Sequence, residues 1–74
     1  FAKTHETGSV VTALVETGLA TSNGEARRLI QSNAISVNGE KIQRDNFQPN
    51  DFRRGRALVR RGKAYKDSAI LETI

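Results

Sequence analysis

The dipeptide Asn38-Gly39 stands between Ile35-Ser36-Val37 and Glu40-Lys41-Ile42, and no other feature constrains the fold as tightly. A type I′ turn needs positive φ at both central residues, which Asn and Gly tolerate, so the pair predicts a two-residue β-hairpin. That loop sets Val37 opposite Glu40, Ser36 opposite Lys41 and Ile35 opposite Ile42. Ile35, Val37 and Ile42 then share one face, and Ser36 and Lys41 the other. A slip of one residue would turn the apolar set toward water, so turn and pattern agree on one register.

A helix is predicted just upstream. Ser22 with Glu25 three positions later is the capping-box pattern, and a structural role accounts for both residues. Ala26, Leu29 and Ile30 fall on one face, and Gly24, Arg27, Arg28 and Gln31 on the other. The adjacent arginines have no acidic partner four residues on, so nothing local neutralises them. Gly24 in the first turn leaves room for an anion to approach the backbone. Asn33-Ala34 then turns the chain into the first hairpin strand.

An earlier helix starts at Ser9, an N-cap residue, places Val11, Leu14 and Val15 at helical spacing, and ends near Gly18. It carries no basic residue and reads as core-forming. Phe1 to Gly8 reads as a linker remnant or incomplete element, which leaves residues 9–74 as the domain. His5, alone in a polar stretch, receives no role. Beyond the hairpin, Arg44 to Gly55 is polar and reads as a loop pinned by Phe47 and Phe52, taken as core anchors rather than base-stacking rings. Ala57-Leu58-Val59 resumes a strand. Arg60-Arg61-Gly62-Lys63 supplies a turn, and Ala64-Tyr65-Lys66 returns antiparallel. If Arg61-Gly62 is the loop, Arg60 stands opposite Lys63, a repulsive pairing that an intervening phosphate would relieve; Gly62-Lys63 is the other possible loop. Asp67 to Ile74 is too short and mixed to assign.

Seventy-four residues suffice for one small domain with a modest core. With no cysteine there is neither a disulfide framework nor a thiolate metal site. No apolar run is long enough to span a bilayer and no signal peptide is visible. The chain opens on Phe1 and contains no methionine, so a piece of a longer protein is expected. Net charge is +4. Between Arg53 and Lys66 lie seven basic residues and no acidic one, a cluster that gathers at one tip in the predicted turn and favours a polyanionic partner. One histidine, no convincing acidic pair, no Gly-rich phosphate loop and no metal-ligand spacing leave no catalytic constellation. Neither cofactor nor metal is expected in the fragment.

Ser22-Asn23-Gly24-Glu25-Ala26-Arg27-Arg28-Leu29-Ile30-Gln31, followed by Ile35-Ser36-Val37-Asn38-Gly39-Glu40-Lys41, resembles the S-four type RNA-binding domain. The likeness runs from Ser9 to Ile42, about half the chain. It implies an α+β fold in which two N-terminal helices pack on a small antiparallel sheet, with the second helix and the hairpin forming the RNA-binding surface. Leu58-Val59-Arg60-Arg61-Gly62-Lys63, with Tyr65 close behind, resembles the end of the C-terminal domain of bacterial tyrosyl-tRNA synthetases, as does Gln31 to Lys41. That resemblance implies a non-catalytic module that follows the catalytic region through a flexible linker. The module would dock the variable arm and anticodon stem of tyrosine tRNA. It further implies a cytoplasmic, ATP-dependent and homodimeric parent, with the isolated domain a monomer.

Carried over by position, Arg27 and Arg28 would face phosphates, with Asn23, Gly24 and Asn33 near the same surface. Asn38, Lys41, Arg60, Arg61 and Lys63 would extend it. Asn23 departs from the family, where a basic residue is common after the cap, and Asn33-Ala34 replaces a turn that is often glycine-rich. The alternatives are the same domain from an rRNA-modifying enzyme or ribosome-associated factor, and a basic protein-docking module.

Overall fold

In the computed structural model, which describes residues 2–62 and 65–74 with the Tyr65 side chain excepted, both helices start on the predicted serines. Helix α1 spans Val10–Glu16, and Ser9 Oγ accepts the Thr12 N–H at 3.1 Å. Val10, Val11, Ala13 and Leu14 are buried, and Gly18 follows the helix at φ 79°. Helix α2 spans Asn23–Gln31, and Ser22 Oγ accepts the Glu25 N–H at 3.1 Å. The return arm of the cap differs from the expected one: Glu25 Oε1 accepts from the Thr21 N–H at 3.0 Å, one residue earlier. The cap still satisfies two N–H groups, one in the first turn and one just before the N-cap residue.

The end of α2 aims the chain into the sheet. Asn33 adopts φ 63°, its N–H donates to Ile30 O at 3.2 Å, and the Ala34 N–H donates to Leu29 O at 2.9 Å. These are the two bonds of a Schellman ending, with Asn33 in the left-handed position usually held by glycine. The departure from a glycine-rich turn is thus absorbed by an asparagine that tolerates the same geometry.

Strand β1 is Ala2–Thr4, β2 Ile35–Val37, β3 Glu40–Lys41, β4 Arg56–Arg61 and β5 Ser68–Thr73, with 3-10 turns at Pro49–Asp51 and Tyr65–Asp67. They form one sheet in the order β1-β5-β4-β2-β3. The hairpin register is the predicted one: Ser36 pairs with Lys41, Val37 with Glu40, and the Ile42 N–H donates to Ile35 O at 3.0 Å. Asn38 has φ 52° and Gly39 φ 88°, as a type I′ turn requires. Alternation decides the rest. Ile35, Val37, Ala57, Val59 and Leu71 join Leu14, Ala26, Ile30 and Phe47 in the buried core, so both helices cover one face of the sheet. The other face carries Ser36, Lys41, Leu58 and Arg60.

The sheet differs from the sequence expectation in two places. It is mixed, because β1 runs parallel to β5, with Ala2 opposite Leu71 and Thr4 opposite Thr73. Residues 2–4, read as part of a linker, are therefore an edge strand. The segment after them is tied down as well, since the Phe47 N–H donates to Gly8 O at 2.8 Å. The strand that returns beside β4 is Ser68–Thr73, not residues 64–66, and Arg60 stands opposite Ser68 rather than Lys63. Tyr65–Asp67 forms a 3-10 turn instead, and the strand that follows it brings Leu71, 1 % exposed, into the core.

The 44–55 loop holds itself together. Phe47 is buried and meets Phe52 edge-on, with ring centroids 5.4 Å apart. Both Arg44 Nη atoms donate to the Asp51 carboxylate at 2.7 Å, and the Gln48 N–H adds a bond to Oδ2 at 2.8 Å. Burial pushes the Asp51 carboxyl up, but the Arg44 hydrogen bonds, the Gln48 N–H and the Arg44 charge outweigh it and hold the group below its ordinary value. The same pairing raises Arg44 against its own desolvation.

Candidate nucleic-acid interface

Helix α2 buries Ala26 and Ile30 and leaves Asn23, Gly24, Arg27, Arg28 and Gln31 exposed. Residues four apart stack on a helix surface, so Asn23, Arg27 and Gln31 form one row and Gly24 and Arg28 the next. Neither arginine, nor Lys41 on the hairpin, takes part in an ion pair among the described residues. The outer face of α2 is thus a positively charged surface with nothing of its own to neutralise it.

A pocket of about 460 Å³ opens where the turn after α2, the hairpin and the end of β4 meet. Asn33 lines it from the helix end, Ser36, Gly39 and Lys41 from the hairpin, and Arg60 and Gly62 from β4. The cross-strand register explains the convergence. Ser36 lies opposite Lys41 on one side and opposite Arg60 on the other, so the sequence Lys41, Ser36, Arg60 runs straight across three strands. The side chains of such a row stand on one face, about 4.8 Å from strand to strand. Among the described residues, no acidic one lines this pocket.

Asn33, Lys41 and Arg60, expected at an RNA-facing surface, come together here. Asn23 and Gly24 lie at the other end of α2, exposed but away from the pocket. Two further candidates are engaged inside the fold. The Asn38 side chain donates to Asp51 O at 2.6 Å and accepts from the Leu58 N–H at 2.9 Å, which clamps the hairpin tip to β4 and to the 44–55 loop. Arg61 has the parity of Val59 and reaches toward the helix layer; its Nη1 donates to Leu19 O at 2.9 Å and its Nη2 lies 3.5 Å from Asp67. Lys63 lies outside the described residues.

The basic run from residue 53 onward is also dispersed rather than gathered at one tip. Arg53 and Arg54 sit in the turn before β4, Arg56 pairs with Glu72 at 3.2 Å, and Arg60 and Arg61 leave the far end of the strand on opposite faces. Six strand residues separate the two ends by roughly 17–20 Å. Ser36 is the polar pocket residue, among those described, that sequence reasoning left without a role. Its period-2 position placed it on the outer face, but its burial depends on β4, whose pairing with β2 is non-local.

The tyrosine–tRNA ligase SYY-like C-terminal domain model matches residues 1–66. A tyrosine–tRNA ligase of Clostridium kluyveri is 38 % identical over 66 residues, covering 86 % of this chain and 16 % of that protein. One from Mycobacterium sp. (strain KMS) is 53 % identical over 53 residues, covering 68 % of the chain and 12 % of the relative. One from Nocardia farcinica is 44 % identical over 61 residues, covering 78 % and 14 %. The chain therefore spans about one-sixth or less of the length of these relatives. With two capped helices over a sheet whose hairpin and fourth strand meet at a basic pocket, and with the family model spanning residues 1–66, the chain belongs to the tyrosine–tRNA ligase SYY-like C-terminal domain family.

Proposed function

We propose that this domain is the tRNA-binding module of a tyrosine–tRNA ligase and docks the variable arm and anticodon stem of tyrosine tRNA during aminoacylation. The observation that carries this reading is the outer face of α2, where Arg27 and Arg28 stand exposed with no ion-pair partner among the described residues. Lys41 and Arg60 add a second basic surface, in a pocket that Asn33 lines from the turn after the helix. Cations fixed on a helix and a hairpin suit phosphates of a structured RNA, whose shape rather than base edges sets the selectivity. Asn23, Gly24, Asn33 and Lys63 belong to the proposed contact surface. Asn38 and Arg61 serve it by holding the hairpin tip and the end of β4 in place. The domain does no chemistry itself. It positions the tRNA so that the acceptor end reaches a catalytic region elsewhere in a cytoplasmic, homodimeric parent, where ATP is consumed.

The test is the affinity of the domain for tyrosine tRNA with and without its variable arm, beside the Arg27→Ala/Arg28→Ala double variant. Loss of about tenfold or more on either change is expected. Equal, weak binding to every RNA, indifferent to both, contradicts the reading. A protein that still co-purifies after nuclease treatment would favour a docking module for an acidic partner.

A further inference from the structure

The outer-face hydroxyl of Ser36 is buried to 6 % exposure, and its Oγ has no hydrogen-bond partner among the described residues. A buried hydroxyl left unpaired is a stability loss that a ligand can recover. Here the hydroxyl does not face the core. Ser36 lines the pocket between the turn after α2, the hairpin and β4, with Lys41 on the neighbouring strand to one side and Arg60 to the other. Strand spacing sets the backbones of those two cationic residues about 10 Å apart with Ser36 between them, and both side chains are long enough to reach one anion held over the middle strand. Among the described residues, no aromatic side chain lines the pocket to stack a base and no acidic one to repel an anion.

We propose that Ser36 is an RNA-binding residue whose hydroxyl donates to the oxygen of one backbone phosphate seated in this pocket between Lys41 and Arg60. The inference rests on the tRNA-binding reading and adds to it a residue and a subsite. An O–H to a phosphate oxygen is a charge-assisted bond in a partly dry setting, and it satisfies the donor that the fold leaves open. The cations supply attraction over distance; the hydroxyl fixes where the phosphate comes to rest.

Three variants separate the possibilities: Ser36→Ala, Lys41→Ala and the Arg27→Ala/Arg28→Ala pair, each titrated against tyrosine tRNA across a salt series and melted without RNA. Ser36→Ala is expected to bind about tenfold more weakly, the worth of one charge-assisted bond. Its salt slope stays that of the parent chain, because no charge is lost, and its melting temperature is equal or higher, because an unpaired buried hydroxyl is gone. Lys41→Ala is expected to lower both affinity and slope, the slope by about 0.7–0.9. Wild-type affinity in Ser36→Ala, while the arginine pair still matters, overturns the subsite and leaves the tRNA-binding reading intact. If the arginine pair has no effect either, both fall. An oligoglutamate peptide bound as tightly as the RNA, with the same dependence on Ser36, would overturn the choice of phosphate over carboxylate.

Discussion

At the residue scale, side chains divide into those that complete the fold and those the fold leaves free. Asp51 is the clearest of the first kind, with two bonds from Arg44 and one from the Gln48 N–H. Arg44 remains about one-third exposed, so the pair is partly screened. Asp51→Asn is expected to lower unfolding stability by about 2 kcal/mol at neutral pH. Because the folded carboxyl lies below its ordinary value of about 3.9, its contribution is full above that pH and is lost as pH falls through the folded value. Melting curves of the two proteins should therefore converge in acid, and a gap that persists unchanged at pH 2 contradicts the assignment. Asn38 tests the same idea. Asn38→Gly keeps the left-handed turn but removes the bonds to Asp51 O and from the Leu58 N–H. A net loss of about 1 kcal/mol in denaturant unfolding is expected, whereas turn propensity alone would leave it neutral or more stable. The sequence placed Asn38 in the turn correctly, because φ is a local property. It did not disclose the clamp, whose partners lie 13 and 20 residues away.

At the element scale, legibility follows the range of the forces that form each element. Helix α2 and the β2–β3 hairpin were readable because caps, turn chemistry and apolar period act within a few residues. The third and fourth partners of the sheet were not. Strand β5 carries one deeply buried side chain, Leu71, and its identity as a strand comes from lying between β4 and β1. Strand β1 has three residues and a parallel pairing that closes a loop of nearly the whole chain. Such an element has almost no local signature. It nonetheless covers the β5 edge and packs Ala2 against the core. Deleting residues 1–4 is expected to lower the melting temperature by several degrees, as loss of about 1–2 kcal/mol does in a domain of this size. A linker remnant would be removed with no change.

At the scale of the whole molecule, the charge excess turns out to be less concentrated than its position in sequence suggests. Arg44, Arg56 and Arg61 are neutralised by Asp51, Glu72 and Asp67, while Arg27, Arg28 and Lys41 have no such partner among the described residues. The interface is consequently built by topology: α2 supplies one stripe, and three adjacent strands align Lys41, Ser36 and Arg60 on the sheet face that the helices leave uncovered. The most direct test of this account is the salt dependence of tyrosine tRNA binding by the intact chain and by Arg27→Ala/Arg28→Ala. If roughly four to six phosphates are engaged, log affinity should fall against log salt with a slope of about −3 to −5. The double variant should lose about 1.4–1.8 of that slope, the share of two phosphate contacts. A slope that is nearly flat, or one that the double variant leaves unchanged, would show that the outer face of α2 does not grip RNA.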